Sequence, residues 1–136
     1  MHPKRGQALV EFSLVVVFLL LLMAGTVDVV RALTVYGLLT NAAQEGATYG
    51  ALKPTDDAGI TTRVRESVGS LIPPEQIQVS VTHYNTACPG ERIQIDVQTQ
   101  MALVFPFAEL FDPDRHVSLK ATAQQVILNS SDPSCP

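Results

Sequence analysis

The sequence predicts an α+β protein: a long N-terminal hydrophobic helix, the stalk, followed by a small head with one amphipathic helix and a three-stranded antiparallel sheet. Three observations predict this fold. An uncharged apolar run lies near the N-terminus, one stripe of apolar residues at helical spacing follows it, and three later segments alternate apolar and polar residues. With 136 residues, the chain has room for one small domain besides a membrane segment.

The stalk is predicted from an apolar run that continues into a helical pattern. Residues 12–27 carry no charge, and their apolar flanks extend the run to about the 20 residues that a membrane span needs. No proline follows before Leu52, so we predict one helix from about Gln7 to Leu52, roughly 69 Å long at 1.5 Å per residue. Pro54 ends it, because a residue before proline disfavours helix. Such a helix is too long for one bilayer, so its second half must stand in water or pack on the head.

The head begins with a capped helix. Thr55-Asp56-Asp57 supplies the N-cap of a second helix from about Asp57 to Leu71, which Pro73-Pro74 ends. Its apolar residues form one stripe, which we expect to be buried: Ile60, Val64, Val68 and Leu71.

Three strands are predicted after this helix. The apolar positions that alternate with polar ones are Ile77, Val79 and Val81, then Ile93, Ile95 and Val97, then Val117, Leu119, Ala121 and Ala123. A period of two predicts an antiparallel sheet with one buried face. The second helix and the outer half of the stalk are the expected covers for that face.

Charge indicates orientation and excludes one class of partner. The formal net charge is −4 and no basic face is visible, which argues against nucleic-acid binding. Lys4 and Arg5 precede the apolar run, and the positive-inside rule keeps that end in the cytoplasm. A cleaved secretory signal is the alternative, but the run continues as a helix without an A-x-A site.

A single carboxylate, Glu11, lies at the edge of the apolar run. A carboxylate near hydrocarbon costs roughly 2.5–3.5 kcal/mol, so it usually has a partner and a role. The alternative is an interfacial carboxylate that the dipole of the helix N-terminus favours. Glu11 follows Gly6 at the fifth position, a spacing that resembles the cleavage site of a type IV prepilin.

The N-terminal region resembles the TadE-like pilins of the tight-adherence branch of the type IV pilus systems. The resemblance covers roughly residues 5–51 and rests on Arg5-Gly6-Gln7-Ala8-Leu9-Val10-Glu11-Phe12, the Leu/Val run, Asp28 to Arg31, and Asn41-Ala42-Ala43-Gln44-Glu45-Gly46-Ala47. The short major pilins of these systems typically have Glu-Tyr where this chain has Glu11-Phe12, and they lack a large head. Size therefore favours the TadE-like class.

The resemblance implies roles for individual residues. Gly6 precedes the cut, Gln7 becomes the new N-terminus, and Glu11 pairs with the terminal amine of an adjacent subunit, with Phe12 beside it at the assembly site. The expected divisions are therefore a leader over 1–6, a membrane and filament-core helix over 7–30, the outer half of the helix over 31–53, and the head over 54–136.

The expected function is that of a structural pilin subunit, and not of an enzyme. The protein would be inserted in the bacterial cytoplasmic membrane with its head outside, then polymerised with its own copies into an extracellular filament for adhesion. Expected partners are the inner membrane, the pilus assembly machinery, a prepilin peptidase and other pilins. The alternative is a single-pass anchored binding module, or a minor pilin at the tip, that does not itself polymerise.

Two features of the stalk can be interpreted in two ways. Asp28 and Arg31 are three residues apart on one helix face, and both residues are assembly candidates. They form either a solvated pair at the membrane exit or a bridge between subunits. Two rows of small residues permit close packing, against the chain's own sheet or against a neighbouring stalk: Ala42, Gly46 and Gly50, and Ala43, Ala47 and Ala51.

The exported part carries two cysteines, Cys88 and Cys135, which indicates one disulfide.

We expect no metal and no cofactor, because His2, His83 and His116 are scattered and none is at metal-ligand spacing with the cysteines. No catalytic motif emerges. Asn129-Ser130-Ser131 fits a glycosylation acceptor, which is a weak signal. The Phe-rich connection over 103–114 is either a flap over the sheet or a subunit contact.

Overall fold

A computed structural model describes residues 4–84, 87–104, 114–129 and 135. The predicted α+β fold with a long N-terminal helix is confirmed. The elements in chain order are α1 (Lys4–Leu52), α2 (Asp57–Val68), β1 (Gln78–His83), β2 (Arg92–Ala102) and β3 (His116–Val126).

The stalk helix α1 is one continuous helix of 49 residues. It begins at Lys4, three residues before the predicted start at Gln7. The strong helix breaker in this part of the sequence is Pro3, which directly precedes Lys4. Gly6 lowers helix propensity by about 1 kcal/mol relative to alanine but does not stop a helix. The bond between Gly6 and Gln7 therefore lies within the first turns of α1.

The second helix ends earlier than the sequence pattern predicts. It stops at Val68 because Gly69 adopts a positive φ of 71°, and a 3₁₀ turn over Gly69–Leu71 follows. Ile60, Val64 and Val68 are buried as predicted. Leu71 leaves the stripe and is 72% exposed, so its predicted burial is wrong.

The three strands form an antiparallel meander in the order β1-β2-β3. The central strand alternates most clearly, and its inward residues Ile93, Ile95 and Val97 are fully buried. Thr99 continues this inward row, and its hydroxyl donates a hydrogen bond to the Gln76 carbonyl at 3.1 Å. The edge strands are less deeply covered, as expected for a sheet whose other face meets water.

The outer half of α1 packs against the head of its own chain through small residues. Ala42, Ala43, Ala47 and Ala51 are each no more than 3% exposed. A Cβ atom on Gly46 would lie 2.4 Å from Cγ2 of Val64, so only glycine fits there. Of the two interpretations of these rows, packing against the chain's own head is therefore the observed one. The core consists of Leu39, Ala42, Ala43, Ala47, Ile60, Val64, Val68, Ile72, Ile77, Ile93, Ile95, Val97, Ala121 and Ile127.

The C-terminal segment is bonded to the rest of the chain at two points, by a disulfide and by a backbone hydrogen bond. Cys88 and Cys135 form the predicted disulfide, with an S–S distance of 2.04 Å. The backbone N–H of Leu128 donates to the carbonyl of Ala51 at 2.8 Å, which joins the segment after β3 to the end of α1. The sheet is thus fixed to the top of the stalk as well as along it.

Several predictions concern residues outside the described ranges. These are the Phe-rich residues 105–113 with both of their proposed roles, the residues before Lys4 including His2, and most of the tail after Asn129.

Candidate assembly site on the stalk helix

The N-terminal half of α1 presents an uncovered apolar surface. The helix is long and apolar enough to cross a membrane, by length and composition, and none of its most apolar 18-residue window is buried. Ten large apolar side chains are between 53% and 69% exposed: Leu9, Val10, Phe12, Leu14, Val17, Phe18, Leu19, Leu20, Leu22 and Met23. A surface of this kind requires lipid or other helices around it.

Two hydroxyl side chains within this apolar half are hydrogen-bonded to the backbone of the helix itself. The Ser13 hydroxyl donates to the Leu9 carbonyl and the Thr26 hydroxyl donates to the Leu22 carbonyl, each at 2.8 Å. Such bonds to the preceding turn remove the cost of an unpaired hydroxyl in hydrocarbon. These two residues therefore do not oppose a membrane location.

Glu11 differs from these two residues, because its carboxylate forms no hydrogen bond with the described part of its own helix. Gly6, Gln7, Glu11 and Phe12 all lie exposed on the first turns of α1. Within the described part of the chain, no hydrogen bond or ion pair reaches the Glu11 carboxylate. Gln7 and Glu11 are four residues apart and share one face of the helix. The arrangement leaves a carboxylate beside the predicted cleavage bond, open to a cation from another chain.

Asp28 is anchored inside the subunit, which changes one sequence-based interpretation. It is 6% exposed, and its two carboxylate oxygens accept the backbone N–H of Val104 at 3.1 and 3.0 Å. Arg31 Nη1 lies 3.7 Å from Asp28 Oδ1, so the expected ion pair is present. The alternative of a solvated pair is wrong for Asp28, because this carboxylate is buried against the segment that follows β2. The Arg31 side chain remains 47% exposed.

The contact between Asp28 and Val104 could not be found from the sequence. A backbone amide carries no residue signature, and 76 positions separate the two partners. The available signal was an unexplained acid at the end of an apolar run, which indicates a partner without identifying it.

Carboxylates in the head have structural roles. Asp56 caps α2: Gly59 N–H donates to one of its oxygens and the Tyr49 hydroxyl to the other, each at 2.9 Å. The bond from Gly59, with that from Tyr49, holds the pKa of Asp56 below its ordinary value of 3.8. The predicted N-cap of α2 is therefore present at Asp56.

Asp96 is the centre of a polar network on the outer face of the sheet. The Thr122 hydroxyl donates to Asp96 at 2.5 Å, the Gln94 amide donates to it at 2.9 Å, and the Lys120 ammonium lies 3.4 Å away. These donors, Thr122 foremost, lower the pKa of Asp96 against a smaller opposing effect of burial. The network joins β2 and β3 to the residue that follows β1, because the Tyr84 hydroxyl donates to Gln94 at 2.7 Å.

The other candidate residues are not brought together into a reactive site. His83 Nε2 lies 3.1 Å from Asp57 Oδ1, while His116 Nδ1 contacts the carbonyl of Asp114 in a different part of the head. Within the described ranges, no three His, Cys, Asp or Glu side chains are grouped as a metal site would require. Asn129 is exposed, and the two serines of its acceptor sequence lie outside the described residues.

The fold and this surface define a class of protein: a small α+β head on a single long helix whose N-terminal half is fit for a membrane. The family model described as "TadE-like protein" matches residues 6–48, about a third of the chain. The prediction of a TadE-like N-terminal region is thus confirmed for the residues that this model matches. No curated protein and no solved structure matches the chain.

Proposed function

We propose that this protein is a pilin subunit that polymerises through α1 into an extracellular filament. The observation that carries the proposal is the position of Glu11, an exposed carboxylate on an uncovered apolar helix with no partner in the described part of its own chain. Two buried charges are tolerable when they are paired. The terminal amine of a neighbouring subunit, released by a cut after Gly6, would supply the partner, and the pairing would set the register between stalks.

In this proposal the subunit passes through two environments. It is first inserted in the cytoplasmic membrane with Lys4 and Arg5 inside and the head outside. Assembly machinery then transfers the apolar half of α1 from lipid into a bundle of neighbouring helices. The heads coat the filament and mediate adhesion, and other pilins share it. The driving interactions are packing and one charge pair, so no catalytic step is required of this chain.

A second candidate function is a membrane-anchored binding module that keeps its leader. One observation favours it: α1 runs through Gly6 and Gln7, so the bond that a peptidase must cut lies in helical backbone. In this case the head would act at the membrane surface without polymerisation, and Glu11 would be an interfacial carboxylate at the N-terminal end of the helix.

The deciding experiment compares Glu11→Ala with Glu66→Ala, an exposed acid on α2 and hence the matched control. Both variants are expressed with the assembly system of the native cell, and surface filaments are sheared off and imaged. We expect Glu11→Ala to lose filaments while it still fractionates as an integral membrane protein, and Glu66→Ala to retain them. Filaments made normally by Glu11→Ala would overturn the role of this residue.

Intact mass separates the two candidate functions. Sheared filaments whose subunit begins at Gln7 support processing and export together. Filaments whose subunit begins at Met1 keep polymerisation but remove the peptidase. Protein found uncut, and in the membrane fraction alone, supports the anchored module.

A further inference from the structure

We propose that the head rests directly on the outer surface of the membrane, with Val104, two residues after β2, as its lipid-contacting edge and Asp28 as the residue that holds it there. The partner is the lipid surface itself, at the interfacial zone where hydrocarbon meets headgroups. This inference rests on the proposed insertion of α1 and adds a second membrane contact, made by the head.

The first argument is the level of Asp28 on the stalk. It directly follows Val27, where the uncharged run that begins at Phe12 ends. If that run occupies the hydrocarbon, Asp28 and Arg31 lie at its outer boundary. A hydrogen bond from Val104 to Asp28 then fixes the segment directly after β2 at that same boundary. No polar spacer separates the span from the head.

The second argument is the chemistry of the surface at this level. Val104 is 63% exposed, although it is apolar and its own N–H is bonded to a buried carboxylate. On the stalk beside Asp28, Val29 and Val30 are 58% and 57% exposed. Exposed apolar side chains therefore occur at the level of Asp28 both on the stalk and on the head. An apolar edge at the level where the span ends is placed to enter the membrane interface.

The third argument concerns the carboxylate. An acid at the edge of hydrocarbon is costly unless donors compensate it. Asp28 accepts the Val104 N–H with both oxygens and lies beside the Arg31 guanidinium, whose exposed half can extend toward lipid phosphates. Asp28 is therefore a positioning residue: its donors stabilise it at this depth, and the same bonds hold the edge of the head against the lipid.

The experiment uses tryptophan as a depth reporter, because the chain contains none. Three single variants of the full chain are reconstituted in phosphatidylcholine vesicles with a quencher near the headgroups or deep in the bilayer. Val104→Trp reports the proposed edge. Leu128→Trp is the matched control, since Leu128 is 66% exposed and bonded to Ala51, about 35 Å along α1 from Asp28. Phe18→Trp reports insertion of the span.

We expect the shallow quencher to reduce the fluorescence of Val104→Trp at least about twofold more than that of Leu128→Trp, with a blue-shifted emission. Equal, weak quenching of these two variants, while Phe18→Trp is quenched by the deep probe, would overturn the lipid-contacting edge and leave insertion intact. An unquenched Phe18→Trp would overturn insertion, and with it both proposals.

The role of Asp28 is tested in the Val104→Trp background. Asp28→Ala removes both acceptors, so shallow quenching should fall toward the level of Leu128→Trp. Asp28→Asn keeps one acceptor oxygen and should retain more of the shallow quenching than Asp28→Ala does. Circular dichroism of each variant reports whether the head remains folded. Unchanged quenching in a folded Asp28→Ala variant would show that Asp28 does not hold this edge.

Discussion

Gly46 on the stalk lies directly against Val64 of the second helix: a Cβ atom on Gly46 would come within 2.4 Å of Cγ2 of Val64. This close approach brings α1, α2 and β2 together, because the same Cβ would also lie 3.5 Å from Ile95 Cγ2. The head therefore depends on the absence of a side chain at one stalk position.

Gly46→Ala should lower the free energy of unfolding of the head by about 1–3 kcal/mol, since the extra methyl overpacks a filled core. Val64 is β-branched and stiff in a helix, so it cannot turn aside cheaply. The matched control is Gly37→Ala, because nothing lies within 4 Å of a Cβ there. It should raise helix stability by up to about 1 kcal/mol. Thermal unfolding in detergent measures both, and equal effects would contradict the packing.

The shortened second helix gives a second prediction. Val68→Ala should cost about 2 kcal/mol of unfolding free energy, because Val68 is 2% exposed within the core. Leu71→Ser should change it by no more than about 0.5 kcal/mol, because Leu71 is 72% exposed. Denaturant titration of the two variants checks this. A larger loss in Leu71→Ser would mean that the helical stripe continues past Gly69.

The disulfide gives a third prediction. Cys88 and Cys135 are 47 positions apart, and closure of a loop of this length stabilises the folded state by about 4 kcal/mol in the chain-entropy model. The double variant Cys88→Ser, Cys135→Ser should lose up to that amount of unfolding free energy. The wild type with reductant should lose a similar amount. The double variant itself should not respond to reductant. Wild-type stability that is equal with and without reductant would contradict the prediction.

The Asp96 network gives a dependence on pH. Because the pKa of Asp96 is lowered on folding, its contribution is fully present above the ordinary value of 3.8 and is lost as pH falls through the lowered pKa. Wild-type unfolding free energy should therefore fall more steeply below about pH 4 than that of Asp96→Asn. Glu66→Gln, at an exposed position of α2, is the control and should follow the wild type. Parallel curves for wild type and Asp96→Asn would contradict the role of this carboxylate.

Much of the fold was predictable because its signals are local. The unbroken apolar run indicated α1, Asp56 indicated the start of α2, and the alternation of Ile93, Ile95 and Val97 indicated β2 with its buried face. The early end of α2 also had a signal at Gly69, since glycine favours the positive φ that terminates a helix, but the apolar stripe through Leu71 and the prolines at 73 and 74 favoured a later end.

The sequence by itself determined which helix can enter a membrane, the TadE-like character of its first turns and the period of each strand. These depend on neighbours within a few positions along the chain. The tertiary structure alone decided that Asp28 is bonded to Val104, that Gly46 contacts Val64, and that the small residues of the stalk pack on their own head. The reason is physical, because such contacts join residues that are far apart in sequence. One is made to a backbone amide and the others depend on the complementary shapes of packed surfaces, and neither produces a recognisable sequence pattern.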